Sequence, residues 1–147
     1  MFSVEDILKT KGSDVYTTTS NTPMQDALAE MAKRNLGALV VADGGEVVGI
    51  FSERDLARRI IGKDACSLET KVKDIMTSPV TTVTITTSIK ECMNLMTEKH
   101  IRHLPVVEDG KLIGVVSIGD VVKGQMAYQE QLIDKLQDFI GGMDYGR

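Results

Sequence analysis

The chain has no tryptophan, and its three tyrosines and three phenylalanines make up only 4% of 147 residues. Aromatic platforms on which the bases of a single strand stack are therefore missing. Cysteine is scarce as well. Cys66 and Cys92 stand far apart with no C-x-x-C pairing, so neither a disulfide framework nor a thiolate metal site is expected, and a reducing compartment fits. No strong excess of basic charge exists either: 17 Lys and Arg against 21 Asp and Glu leave a net charge of −4. A nucleic-acid binder normally shows a basic face, so that class is disfavoured. No apolar run reaches membrane-spanning length. Met1-Phe2-Ser3-Val4-Glu5-Asp6 lacks a basic region leading into an apolar core, so no secretory signal is read. The expectation is a cytoplasmic protein with neither nucleic acid nor membrane as partner. What is present, 42% hydrophobic and 26% charged residues, is the composition of a soluble globular domain.

The order of those residues is more telling, because the chain repeats itself. Val4-Glu5-Asp6-Ile7-Leu8 returns as Val72-Lys73-Asp74-Ile75-Met76. Met24, Ala27, Leu28 and Met31 return as Ile89, Cys92, Met93 and Met96, each 65 positions later. Val40-Val41 with Asp43-Gly44 returns as Val106-Val107 with Asp109-Gly110, and Gly49-Ile50-Phe51-Ser52-Glu53-Arg54-Asp55 as Gly114-Val115-Val116-Ser117-Ile118-Gly119-Asp120. A unit of about 60 residues buries only ~60% of its unfolded surface. Two copies sharing an interface are the stable object, so the repeats read as one pseudo-symmetric module.

Within a unit, the i, i+3, i+4, i+7 spacing of Met24, Ala27, Leu28 and Met31 predicts a helix. Thr22 is the expected N-cap, with Pro23 at the first helical position; in the second copy Ser88 caps and Glu91 completes a box. Ala38-Leu39-Val40-Val41 and Val47-Val48-Gly49-Ile50-Phe51 read as strands joined by a turn at Asp43-Gly44-Gly45, with Asp109-Gly110 one residue shorter in copy two. Alternation along Thr81-Thr82-Val83-Thr84-Ile85 predicts a further strand. Helices follow from about Ser52 to Ile61 and from about Ser117. The expected fold class is α/β (α+β), two β-α-β-β-α repeats packed as one module plus a C-terminal helix. The expected spans are 4–62 and 72–124 for the repeats, 63–71 for the linker and 125–142 for the last helix, ended by Gly141-Gly142. Leu132, Ile133, Leu136, Phe139 and Ile140 form a stripe on that helix, which packs either on the module's own surface or on a second chain.

The segment that repeats best is G-x-x-S-x-x-D. Ser52 and Ser117 fall at helix starts, with Asp55 and Asp120 one turn inside. One reading is a capping box, although a box prefers the longer Glu or Gln. The other is a ligand site, since helix N-termini favour phosphate and a carboxylate there can accept both hydroxyls of a ribose.

The duplicated unit, Met76-Thr77-Ser78-Pro79-Val80-Thr81, Leu104-Pro105-Val106-Val107 and the two G-x-x-S-x-x-D runs together resemble a tandem CBS domain pair, a stand-alone CBS-domain protein, over residues 4 to 123. The resemblance implies a regulatory module that binds adenosine-containing ligands in the cleft between repeats: AMP, ADP, ATP, NAD(H) or S-adenosylmethionine. It implies that Asp55 and Asp120 hold ribose, that Ser52 and Ser117 meet phosphate or ribose, and that backbone near Val80, Thr81 and Tyr16 holds the adenine, with Thr77 and Leu104 nearby. Copy one departs from the pattern, with Lys11-Gly12-Ser13-Asp14 replacing the Thr-x-x-Pro run.

Arg102 and His103 precede the second copy's first strand, where the first copy has Leu36 and Gly37. Arg offers phosphate a bidentate fork, and Arg54 and Lys11 are expected to add charge to the same site. A phosphate-rich site at Asp55 and a weaker or different one at Asp120 follow. His100 and His103 find no third ligand at matching spacing, so no metal is expected, and Cys92, on an apolar stripe, reads as core. No nucleophile with a base is visible, so no catalytic residues and no enzyme are expected. No cofactor is required, the output is expected to pass through an unidentified regulated protein, and the resemblance implies a homodimer. The competing readings are a Mg²⁺- or S-adenosylmethionine-responsive regulator and a nucleic-acid-associated protein.

Overall fold

The structure, a computed structural model, describes residues 2–62 and 69–144. Cys66 and most of the linker expected at 63–71 lie outside the described residues. The first half runs α1 (Val4–Lys11), β1 (Thr17–Thr18), α2 (Met24–Arg34), β2 (Ala38–Asp43), β3 (Glu46–Ser52) and α3 (Glu53–Gly62). The second runs through a 3-10 turn at Val72–Asp74 to α4 (Ile89–Lys99), β4 (His103–Glu108), β5 (Lys111–Ser117) and α5 (Ile118–Asp144). The mixed α/β class and the two repeats with a C-terminal helix match the expectation.

Several details differ. The strands superpose at a constant offset of 65, since Ala38 pairs with Ser52 and Asp43 with Glu46, as His103 pairs with Ser117 and Glu108 with Lys111. Both hairpin turns therefore hold two residues, Gly44-Gly45 and Asp109-Gly110, all at positive φ, as type I′ turns require. Val106 thus corresponds to Val41 and not to Val40, one residue from the match that the Val-Val pairs suggest. On the true offset Arg102 and His103 face Gly37 and Ala38, not Leu36 and Gly37, and His103 opens β4 instead of preceding it. The α2 cap is Pro23, with no side-chain cap bond. The Thr22 hydroxyl accepts from the Thr19 amide at 3.3 Å, closing a turn that Thr84 and Thr87 repeat at 3.1 Å. That second turn cuts the strand expected at 81–85 to a single parallel bridge, Val83 to Val106. Ser88 caps α4 as expected, accepting from the Glu91 amide at 3.1 Å.

The two cores are built by exchange. Val4 and Ile7 of α1 sit in the second half's core with Cys92, Met96, Leu104 and Val116. Val72 and Ile75 return the relation, packing with Met24, Met31, Leu39 and Phe51 of the first half. Matching backbone bonds fix each segment. The Val4 amide donates to Thr87 O and the Val72 amide to Thr22 O, both at 2.9 Å. Glu5 to Ile85 O (3.0 Å) is matched by Lys73 to Ser20 O (2.9 Å), and Ile89 to Phe2 O (3.2 Å) by Met24 to Thr70 O (2.7 Å). Two glycines make room: a Cβ on Gly49 would lie 2.5 Å from Met76 Sδ, and one on Gly114 2.8 Å from Leu8 Cδ2. The glycine of each G-x-x-S-x-x-D run thus admits the exchanged segment.

The last helix is not separate and does not stop at Gly141. α5 runs unbroken from Ile118 to Asp144, because glycine costs a helix about 1 kcal/mol without breaking it. Gly124 also lets α5 approach α1 and α4, since its Cβ would meet Ile89 Cδ1 at 2.8 Å. Leu132, Ile133, Leu136, Phe139 and Ile140 are 41–66% exposed, so the stripe does not pack on the module's own surface.

Exchange makes the halves a single cooperative unit. Ile7→Ala and Ile75→Ala are each expected to cost about 2–5 kcal/mol, lowering Tm by roughly 5–15 °C. Calorimetry is expected to show one transition in both variants, whereas two separate transitions would mean that each half folds alone.

Candidate functional site

Between the halves lies a cleft of about 500 Å³. The first half contributes Gly37, Ile50 from β3, and Ser52, Arg54, Asp55 and Arg58 at the start of α3. The second contributes Thr77, Pro79, Val80 and Thr81, and Lys99, His100, Arg102 and His103 between α4 and β4. The exchanged segment builds one wall. Thr77 and Ile50 bond reciprocally, Ile50 N to Thr77 O at 3.1 Å and Thr77 N to Ile50 O at 2.8 Å, which carries Pro79 to Thr81 across the sheet edge. Arg102 is held against the other helix start, its carbonyl accepting from the Ile118 amide at 2.9 Å.

The two Ser-x-x-Asp runs differ in how their carboxylates are bonded. The Ser52 hydroxyl accepts from the Asp55 amide at 3.1 Å, yet the Asp55 carboxylate has no hydrogen-bond or ion-pair partner among the described residues. Ser117 and Asp120 form the reciprocal box, Asp120 N to Ser117 Oγ at 3.2 Å and Ser117 N to Asp120 Oδ2 at 2.8 Å. Asp is long enough to close it. Lys11 Nζ also reaches Asp120 Oδ2 at 2.7 Å. Burial works to raise the Asp120 carboxyl, but the Lys11 ammonium and the Ser117 amide outweigh it and hold the group below the usual carboxylate range.

Of the residues singled out in the sequence, Ser52, Arg54, Asp55, Thr77, Val80, Thr81, Arg102 and His103 meet in the cleft. Lys11 does not join them: the end of α1, packed on the second half, aims it at Asp120 and the Val115 carbonyl (2.9 Å). Tyr16 stands apart with the Arg34 guanidinium 4.0 Å over its ring. Leu104 is fully buried in the second core, and Ser117 and Asp120 stand at the other helix start. Arg58, Lys99 and His100 were missed as cleft residues. Arg58 lies one turn beyond Arg54, a spacing that placed it in reach. His100, considered only as a metal ligand, takes the left-handed conformation that ends α4, which turns the chain into the cleft.

Arg54, Arg58, Lys99 and Arg102 bring four cations to the cleft against Glu53 and Asp55. Burial pushes the His103 pKa down; Asp120 and Asp55 draw it up, Lys11 and Arg102 down, and the net direction is down. Buried Cys92 is pushed up to about 11, the behaviour of an inert core thiol. Among the described residues no cluster of three or more His, Cys, Asp and Glu is placed to hold a metal, and no helix is long and apolar enough to cross a membrane.

The sequence profile of the CBS domain matches residues 3–62 and 72–127. The chain is 39% identical over 150 residues to the mitochondrial CBS domain-containing protein CBSX3 of Arabidopsis thaliana, covering 95% of this chain and 72% of that one. Among solved structures it resembles the CBS domain NE2398, with 40% identity, TM-score 0.81, and 86% and 99% of the two chains covered. It also resembles CBSX2 in complex with AMP (28%, TM-score 0.71, 88% and 99%). The CBS domain pair of MJ0100, solved with 5′-methylthioadenosine and S-adenosyl-L-methionine, is similar as well (26%, TM-score 0.72, 84% and 94%).

A histidine whose folded pKa lies below its unfolded value supports stability above the unfolded pKa and withdraws it as the pH falls. Tm is therefore expected to drop from about pH 6.5 downward, and His103→Gln to flatten that drop between pH 6.5 and 5 in calorimetry. An unchanged slope would mean that His103 is not held neutral.

Proposed function

The chain belongs to the CBS domain family, and we propose that it is a regulatory module binding an adenine nucleotide, AMP, ADP, ATP or NAD(H), in the cleft at Asp55. The observation that carries the reading is the meeting there of four cations with a carboxylate that has no partner among the described residues. A ribose diol donates to the carboxylate, and a phosphate needs the cations. Arg102 and Arg54 suit the phosphate by their planar forks, the Ser52 hydroxyl keeps a hydrogen to donate, and the backbone from Pro79 to Thr81 suits the edge of an adenine. The volume, about 500 Å³, falls within the range of small-molecule sites. Relatives solved with AMP and with S-adenosylmethionine support the adenosine class. S-adenosylmethionine is the second reading, but its sulfonium would meet guanidinium groups of like charge.

A nucleotide that bridges the halves shifts their relative arrangement by its difference in affinity for the two arrangements, and by no more. The module is read as a cytoplasmic regulator, not an enzyme, whose output passes to another protein. The exposed apolar stripe from Ile118 through Val122 and Met126 to Ile140 supports a homodimer. Light scattering is expected to give twice the chain mass, and a monomer at every concentration would remove the dimer.

AMP at 100 times its Kd is expected to stabilise the protein by ~2.7 kcal/mol, a Tm rise of roughly 5–10 °C. Asp55→Ala is expected to abolish the rise, and adenosine to produce less of it than AMP. No shift with any adenine nucleotide would sink the reading, and equal shifts with adenosine and AMP would remove the phosphate site.

A further inference from the structure

Two identical Ser-x-x-Asp motifs end in opposite states, and one side chain separates them. At Asp120 the carboxylate already holds Lys11 Nζ (2.7 Å) and the Ser117 amide (2.8 Å), and Lys11 Nζ donates again to the Val115 carbonyl at 2.9 Å. The difference traces to the leading segments. In the second half the segment makes one 3-10 turn and runs on as Thr77-Ser78-Pro79, open to the cleft. In the first half it continues as helix to Lys11, so the ammonium arrives over Asp120. Leu8, packed on Gly114, and Val4 and Ile7 in the core hold that helix in place.

We propose that Lys11 is a built-in occupant of the second site: its ammonium takes the donor positions that ribose hydroxyls would need on Asp120, so the chain binds one ligand, at Asp55. The inference rests on the reading of the Asp55 cleft for the identity of its ligand, and makes Lys11 the residue that sets stoichiometry. Lys11 ends an exposed turn and lies outside both cores, so its truncation leaves the fold intact.

Titration calorimetry with AMP as the probe reads this directly. Wild type is expected to bind one AMP per chain, Lys11→Ala two, and Lys11→Ala/Asp120→Ala one again. A wild-type value of two, or a Lys11→Ala value equal to that of wild type, overturns the proposal. A wild-type value of zero with a value of one in Lys11→Ala removes the ligand at Asp55 and keeps only Lys11 as the occupant of the Asp120 site.

Discussion

Each half closes its core with the leading segment of the other. Neither half has a complete core without two buried residues supplied by the other's stretch of sequence, Val4 and Ile7 in one direction and Val72 and Ile75 in the other. Small units bury too little surface to be stable alone. Here the deficit is met by a reciprocal arrangement, with three matched backbone hydrogen bonds on each side. Gly49 and Gly114 follow from it, since a side chain at either would collide with the incoming Met76 or Leu8.

The same constraint makes the cleft. Because the second leading segment must cross β3 to reach the first core, its continuation becomes a wall beside Ser52 and Asp55. The other segment crosses β5 in the same way but stays helical for one further turn. A lysine thereby meets a carboxylate. Symmetric topology with unequal local structure thus yields one open carboxylate among cations and one neutralised carboxylate. His103 lies within the field of both, sensing Asp120, Lys11, Arg102 and Asp55 together.

The sequence made the repeat, the fold class and most of the cleft legible. Apolar periodicity placed α2 and α4, and the repeated G-x-x-S-x-x-D placed Ser52, Asp55, Ser117 and Asp120 at helix starts, as they are. Arg102 and His103 stood out because copy one has no cation there. Tertiary geometry was what stayed hidden. Its place in copy one assigns Lys11 to the Asp55 site, whereas the exchange of α1 carries it to Asp120. Thr22 reads as an N-cap in the sequence but closes a turn in the fold, because a Thr-x-x-Thr turn and an N-cap use the same side chain. The run of α5 through Gly141-Gly142 reflects the weakness of glycine as a helix stop when no proline follows.

On the proposed reading, Asp55 and the cations around Arg102 hold the ribose and phosphate of one adenine nucleotide. The decisive measurement is a crystal structure grown with AMP. The expected result is a ribose diol on the Asp55 carboxylate, the phosphate on Arg102 and Arg54, and Lys11 still bound to Asp120. An empty cleft, or AMP seated away from Asp55, would contradict it.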